Sequence, residues 1–306
     1  KTPEARDRPA PRALPNGPAR GRTTKPTETL RGCTEMREPL ELDVDDDSDG
    51  VESSGLRIER LQTSGQWRSP KLEIKRLDVD LFGGAIRSSA TLDVATREAR
   101  IRATADFDAQ KLSPLLTPFG QTWLAQFGYQ IPPRATGSLR LVLPPWISLT
   151  NRSLDWPAEI LPSLQMAGSF TAGRTSFRGV TVDSANGTFQ FTNQTWHLPD
   201  IHLVRPEGTL DLEIEEILPI NHYRFKFASH FDPKIVRPLL GTPGAQQAFD
   251  LARFDEPPLI EAEISGLWHQ TETIGVTARL LATNVAYRGE HADRVEPGLG
   301  QEPLEL

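Results

Sequence analysis

One stretch of this chain is written twice. Gly84 to Leu116 aligns with Gly208 to Leu240 at a constant offset of 124 residues, without a gap. Gly84-Ala-Ile matches Gly208-Thr-Leu, and Arg100-Ile-Arg-Ala matches Arg224-Phe-Lys-Phe. Phe107-Asp then matches Phe231-Asp, and Pro114-Leu-Leu matches Pro238-Leu-Leu. Upstream, Leu77 and Val79 face Ile201 and Leu203 in the same register. Insertion of Gly241 raises the offset to 125, after which Thr117-Pro118 matches Thr242-Pro243 and Pro132-Pro133 matches Pro257-Pro258. A further copy opens near the end, where Tyr287-Arg-Gly289 echoes Phe177-Arg-Gly179. A repeated order of this kind restricts the fold to copies of one supersecondary unit packed side by side.

The period inside each copy is two. Leu72-Glu-Ile-Lys, Leu77-Asp-Val-Asp-Leu, Ala99-Arg-Ile-Arg-Ala, Leu210-Asp-Leu-Glu-Ile and Tyr223-Arg-Phe-Lys-Phe alternate apolar with charged residues. Such alternation places one set on each face of a strand, so the sheets have one apolar and one wet face. Turn signals fall at Gly83-Gly84, Asn186-Gly187 and Glu207-Gly208, and Asn186-Gly187 is the strongest hairpin signal. Asp108 and Asp232 stand as N-caps of short helices that Pro114 and Pro238 stop. Thr117-Pro118 and Thr242-Pro243 start second helices, and strands follow over 136–143 and 259–264. The expected fold is mainly β with short helices, as repeated antiparallel β-meander units forming a curved sheet or β-groove.

Residues 1–54 contain no Phe, Trp, Tyr or Ile, and read as a disordered low-complexity head. Its first part, 1–37, is Pro/Arg-rich; 38–52 carries eight acids and no base. Unit 1 then runs over 55–165 with helices near 109–127, and unit 2 over 166–266 with helices near 233–253. The start of a third unit covers 267–295, and 296–306 is a tail. The net charge of -7 argues against a nucleic-acid partner held by phosphate contacts. No run of about 18 apolar residues is present. The sequence starts at Lys1 and reads as part of a longer chain. One cysteine, Cys33, excludes an intramolecular disulfide and any site built from several cysteines.

The chemistry-bearing residues do not converge. Asp45-Asp-Asp47-Ser-Asp49-Gly50 fits the opening of a calcium loop, but the twelfth position is Leu56. His197 and His202 are five apart on a strand, hence expected on opposite faces. Glu213 and Glu215 alternate with Leu212 and Ile214, which places them on the wet face rather than in a glycosidase pair. No nucleophile elbow, Walker or dinucleotide motif occurs. The reading is of a non-enzyme with no cofactor and no metal.

The order of meandering strands, Phe-Asp helix start, Pro-Leu-Leu, Pro-Pro and a strand ending in Ile264-Ser-Gly266 resembles the AsmA-like family, which includes TamB-type envelope proteins. The resemblance spans about residues 56–295 and is best over Gly168–Gly266, with Phe177-Arg-Gly, Phe189–Asn193 and Phe231-Asp. It implies a β-groove whose apolar face carries phospholipids between inner and outer membranes. It also implies a periplasmic location, a role in envelope homeostasis, and an inner-membrane anchor at the N-terminal end of the full-length protein. The implied groove residues are Ile86, Ile101, Ala103, Phe107, Leu210, Leu212, Tyr223, Phe225 and Phe227, and their partners are acyl chains. The same residues equally suit a closed core, which makes the alternative a β-rich binding or scaffold module for protein or carbohydrate.

Overall fold

The computed structural model describes residues 41–53, 56–116, 118–146, 155–235, 252–287 and 290–295. Its strands are β1 (Glu41–Ser53), β2 (Leu56–Arg68), β3 (Lys71–Leu81), β4 (Gly84–Asp93), β5 (Glu98–Ala105), β6 (Phe127–Tyr129), β7 (Arg134–Val142), β8 (Gln165–Ala172) and β9 (Thr175–Phe177). They continue as β10 (Val180–Val182), β11 (Ser184–Thr192), β12 (Thr195–Arg205), β13 (Gly208–Ile217), β14 (His222–Ser229), β15 (Ala252–Phe254), β16 (Leu259–Leu267), β17 (Gln270–Tyr287) and β18 (Glu290–Val295). Fifteen strands join in one sheet in the order β1-β2-β3-β4-β5-β7-β8-β11-β12-β13-β14-β16-β17-β15, with β18 also on β17. The pairings are antiparallel, the sheet is an open meander, and β10-β9-β6 form a separate small sheet.

The offset seen in the sequence recurs in the backbone. Moving β3, β4 and β5 by 124 residues gives the bounds of β12, β13 and β14, and moving β7 by 125 gives those of β16. Irregularities follow the same rule. The register of β3 shifts between Ile74 and Leu77, and that of β12 between Leu198 and Ile201. Arg97 and Asn221, each at the turn into a matched strand, have positive φ of 62° and 53°. Gly84 and Gly208 open matched strands against the chain leaving the sheet. An added Cβ would lie 2.5 Å from Phe107 Cα in the first copy and 2.4 Å from the His230 carbonyl oxygen in the second. Only glycine fits such an approach. The third copy begins in the same way: β6 pairs with β9 through Phe127 and Phe177, as β15 pairs with β17 through Ala252 and Tyr287.

Helical segments leave the sheet after β5. Asp108 accepts a hydrogen bond from the Gln110 N–H and caps a 3-10 helix over Ala109–Leu115, which contains Pro114. An α-helix over Pro118–Leu124 follows. Asp232 caps the matching turn through the Lys234 N–H at 3.0 Å. The expected helices beyond residue 235 lie outside the described residues.

Tyr129 donates its hydroxyl to Asp108 at 2.7 Å, which ties β6 to this cap. Burial, then the hydrogen bond and charge of Asp108, push the phenol up to about 12. Its folded value therefore exceeds the unfolded one, so its stabilising share is complete below pH about 10 and is lost as pH rises through about 12. The phenolate absorbance that disappears in Tyr129→Phe is expected to develop near pH 12, and to move towards 10 in Asp108→Asn. A wild-type transition at 10 would contradict the placement of this side chain.

Three expectations need correction. The acidic stretch assigned to a disordered head forms β1 over Glu41–Ser53, paired with β2. Main-chain pairing is indifferent to side-chain acidity, and Arg60 and Gln62 donate to Asp47. The aspartate run that echoes a calcium loop is thus extended strand. Asn186-Gly187 is not a turn: both residues lie inside β11, and the hairpin to β12 uses Asn193-Gln194, both with positive φ. Finally, His197 and His202 share a face. The β-bulge between Leu198 and Ile201 changes the parity, so His197 is opposite Glu215 and His202 opposite Asp211.

Candidate functional site: the apolar face of the sheet

The register assembles the alternating residues into rows that cross the sheet. One row runs Ile74, Ala90, Ile101, Leu139, Met166, Phe191 and Trp196 across seven strands. In the second copy the rows run Leu198, Ile214, Phe225, Ile264, Val276 and Ile201, Leu212, Phe227, Ala262, Ala278. Alternate residues form the opposite, charged face. Arg224 bridges Glu213 and Glu215 there, and Thr188 donates through its N–H and hydroxyl to Asp200. Those bonds hold the Asp200 carboxyl below its ordinary value.

Two small clusters cover this apolar face near opposite ends of the strands. At one, Ile160 and Leu164 pack on Leu141 and Phe191, with Trp196 and Leu218 beside them. The covering segment starts at a single π-type turn, Trp156–Ile160, whose Asp155 cap accepts from the Ala158 N–H. At the other end Val182, Ala185 and Phe231 are buried with Leu203, Leu210 and Ile235. Between them Ile101, Phe189, Leu212, Phe225 and Ile264 are only half-buried, as are Leu139 and Met166 at the margin of the first cluster. Val276 and Ile274, near the β17 edge, are 42% and 40% exposed. Among the described residues, no second layer of comparable extent lies over these rows.

Glycines smooth the middle of the face. Phe189 lies across Gly168 and Gly137, where an added Cβ would come 2.6 Å and 3.4 Å from its ring tip. A side chain at Gly168 would therefore lift the ring.

Of the nine expected residues, Ile86, Ile101, Ala103, Leu210, Leu212, Tyr223, Phe225 and Phe227 share this face through the register. Phe107 does not: it lies past the end of β5, in the bend before the 3-10 helix. Tyr223 is on the face but only 7% exposed, roofed by Trp268 at 4.4 Å and flanked by Phe225 at 5.3 Å between ring centroids. It supports the face from within. Sequence reading missed Leu139, Met166, Phe189, Ile264 and Val276. The alternation of Met166-Ala-Gly-Ser-Phe170 and Ile260-Glu-Ala-Glu-Ile264 carried that signal.

Among the described residues no group of three or more His, Cys, Asp or Glu side chains is placed to hold a metal, and no helix is long and apolar enough to cross a membrane. Comparison with protein-family profiles, curated proteins and solved structures finds no match.

Proposed function

We propose that the apolar face binds phospholipid acyl chains, in an envelope protein of AsmA-like type that holds or conducts lipid between inner and outer membranes. In this reading the chain works in the periplasm and is anchored at the inner membrane in its full-length form. The observation that carries the proposal is the set of apolar rows on one face, largely half-buried and crossing many strands, with no second protein layer over their middle among the described residues. An apolar patch of that extent marks an interaction surface rather than a monomer's ordinary exterior. Acyl chains suit it because it is long, lacks regularly placed polar groups and gains about 0.8 kcal/mol per methylene buried. The charged face opposite keeps the assembly in water.

Native mass spectrometry of the purified chain, followed by lipid extraction, tests the reading. The expected result is co-purifying phospholipid that Val276→Asp depletes while the circular dichroism spectrum of the sheet persists, because Val276 is already exposed. Absence of lipid, together with no binding of the apolar dye ANS, would favour the closed-core module instead.

A further inference from the structure

The charged face differs between the two copies. On β4, β5 and β7 it carries Arg87, Arg100, Arg102, Arg134 and Arg140 against two acids, Asp93 and Glu98. The matched strands β13, β14 and β16 carry Arg224 and Lys226 against five acids, Asp211, Glu213, Glu215, Glu261 and Glu263. The balance of charge thus differs in sign between the copies: Arg87 becomes Asp211, Ser89 becomes Glu213 and Ser138 becomes Glu263, while Arg100 and Arg102 stay basic as Arg224 and Lys226.

The basic copy is also hollowed. One trough of about 500 Å³ is lined by Arg100, Arg102, Ser138, Arg140, Gln165 and Gln190. A second, about 790 Å³, extends it past Asp78, Arg87, Ser89, Thr104, Thr136 and Thr188, with Arg87 ion-paired to Asp80 at 2.6 Å and to Asp78 at 3.9 Å. Glu98 is shared by Arg100 and Arg140 at 2.5 Å and 2.9 Å. Arg102, between the two hollows and exposed, has no ion pair or hydrogen bond among the described residues. Small side chains line the second hollow, hydroxyls beside Ala103, Gly137, Ala167 and Gly168; Thr104 and Thr136 stand 3.2 Å apart, oxygen to oxygen.

We propose that this trough binds an anionic glycan, its sulfate or phosphate esters held first by Arg102, with Arg87 and Arg140, each already paired with a carboxylate, on either side, and its hydroxyls by the Ser, Thr and Gln side chains. Guanidinium forks match such oxyanions. Hydroxyl and amide groups both donate and accept, which suits sugar hydroxyls, whereas a bare polyphosphate offers only acceptors. Nucleic acid fits less well, because the charged face of β4, β5, β7, β8 and β11 holds no aromatic side chain on which bases could stack. This site lies on the face opposite the proposed lipid surface and does not depend on it.

Fluorescence anisotropy with labelled heparin oligosaccharide, inorganic polyphosphate, neutral dextran and single-stranded DNA tests the proposal. Heparin is expected to bind, weakly at high salt, and dextran not to bind. Arg102→Glu is expected to weaken heparin binding about tenfold or more. Glu261→Ser, in the acidic copy, should leave it unchanged. Both sites are exposed, and circular dichroism should show both variants folded. Equal heparin affinity in Arg102→Glu, or polyphosphate or DNA binding as tightly as heparin, overturns the proposal. So does sedimentation showing that the basic face instead pairs with the acidic face of a second copy.

Discussion

Phe191→Ala is expected to lower the stability of the sheet by about 3–5 kcal/mol. The ring is 1% exposed and is enclosed by Ile160, Leu164, Leu141 and Met166, with Trp196 at 4.9 Å between centroids. Its removal leaves a cavity that the π-type turn at 156–160 and the paired strands cannot both collapse into. The repeat supplies the control. Trp67 occupies the matching position in the first copy, at the end of β2, and is only half-buried. Trp67→Ala should therefore cost less, about 1–2 kcal/mol. Urea midpoints measure both. Equal losses would mean that the cluster around Ile160 does not close over Phe191.

Gly208→Ala and Gly84→Ala are expected to destabilise by about 1–3 kcal/mol each, by forcing main chain apart rather than by removing contacts. The obstacles are backbone atoms, the His230 carbonyl oxygen and Phe107 Cα, so no side-chain rotation relieves them. Gly173→Ala, with nothing within 4 Å of the added carbon, should be close to neutral. Thermal midpoints in which Gly208→Ala matches Gly173→Ala would contradict the tight exit from β14. Such a pair of clashes explains physically why the repeat keeps glycine at both strand starts.

The strands of the duplicated copies were legible because alternation is enforced wherever one face is apolar and the other wet, and because two copies written in register reinforce each other. Strand edges near Gly84, Gly208 and the Pro-Pro pairs came from the same source. What escaped was set by backbone geometry. β1 has few apolar residues and relies on main-chain pairing to β2. Gly187 looks like half of a turn, but its missing side chain makes room for the Phe170 ring in the middle of a sheet. The bulge in β12 exchanges faces without any change in the residue pattern, which is why the two histidines were placed apart. The apolar face was found on β4, β5, β13 and β14 and missed on β7, β8, β11, β16 and β17; alternation ran through β8 and β16, but glycines and small residues such as Gly168 and Ala262 shorten its apolar run.

The most direct test of the lipid-contacting face uses neighbours that point in opposite directions. Phe225 pairs with Ile264 on the apolar face, while Lys226 pairs with Glu263 on the charged one. A photo-crosslinking amino acid placed singly at each of the four positions, in cells labelled with phospholipid, reads which face meets acyl chains. Phospholipid adducts are expected at 225 and 264 and not at 226 or 263. Adducts at all four positions, or at none while the variants fold, would contradict a lipid-binding apolar face.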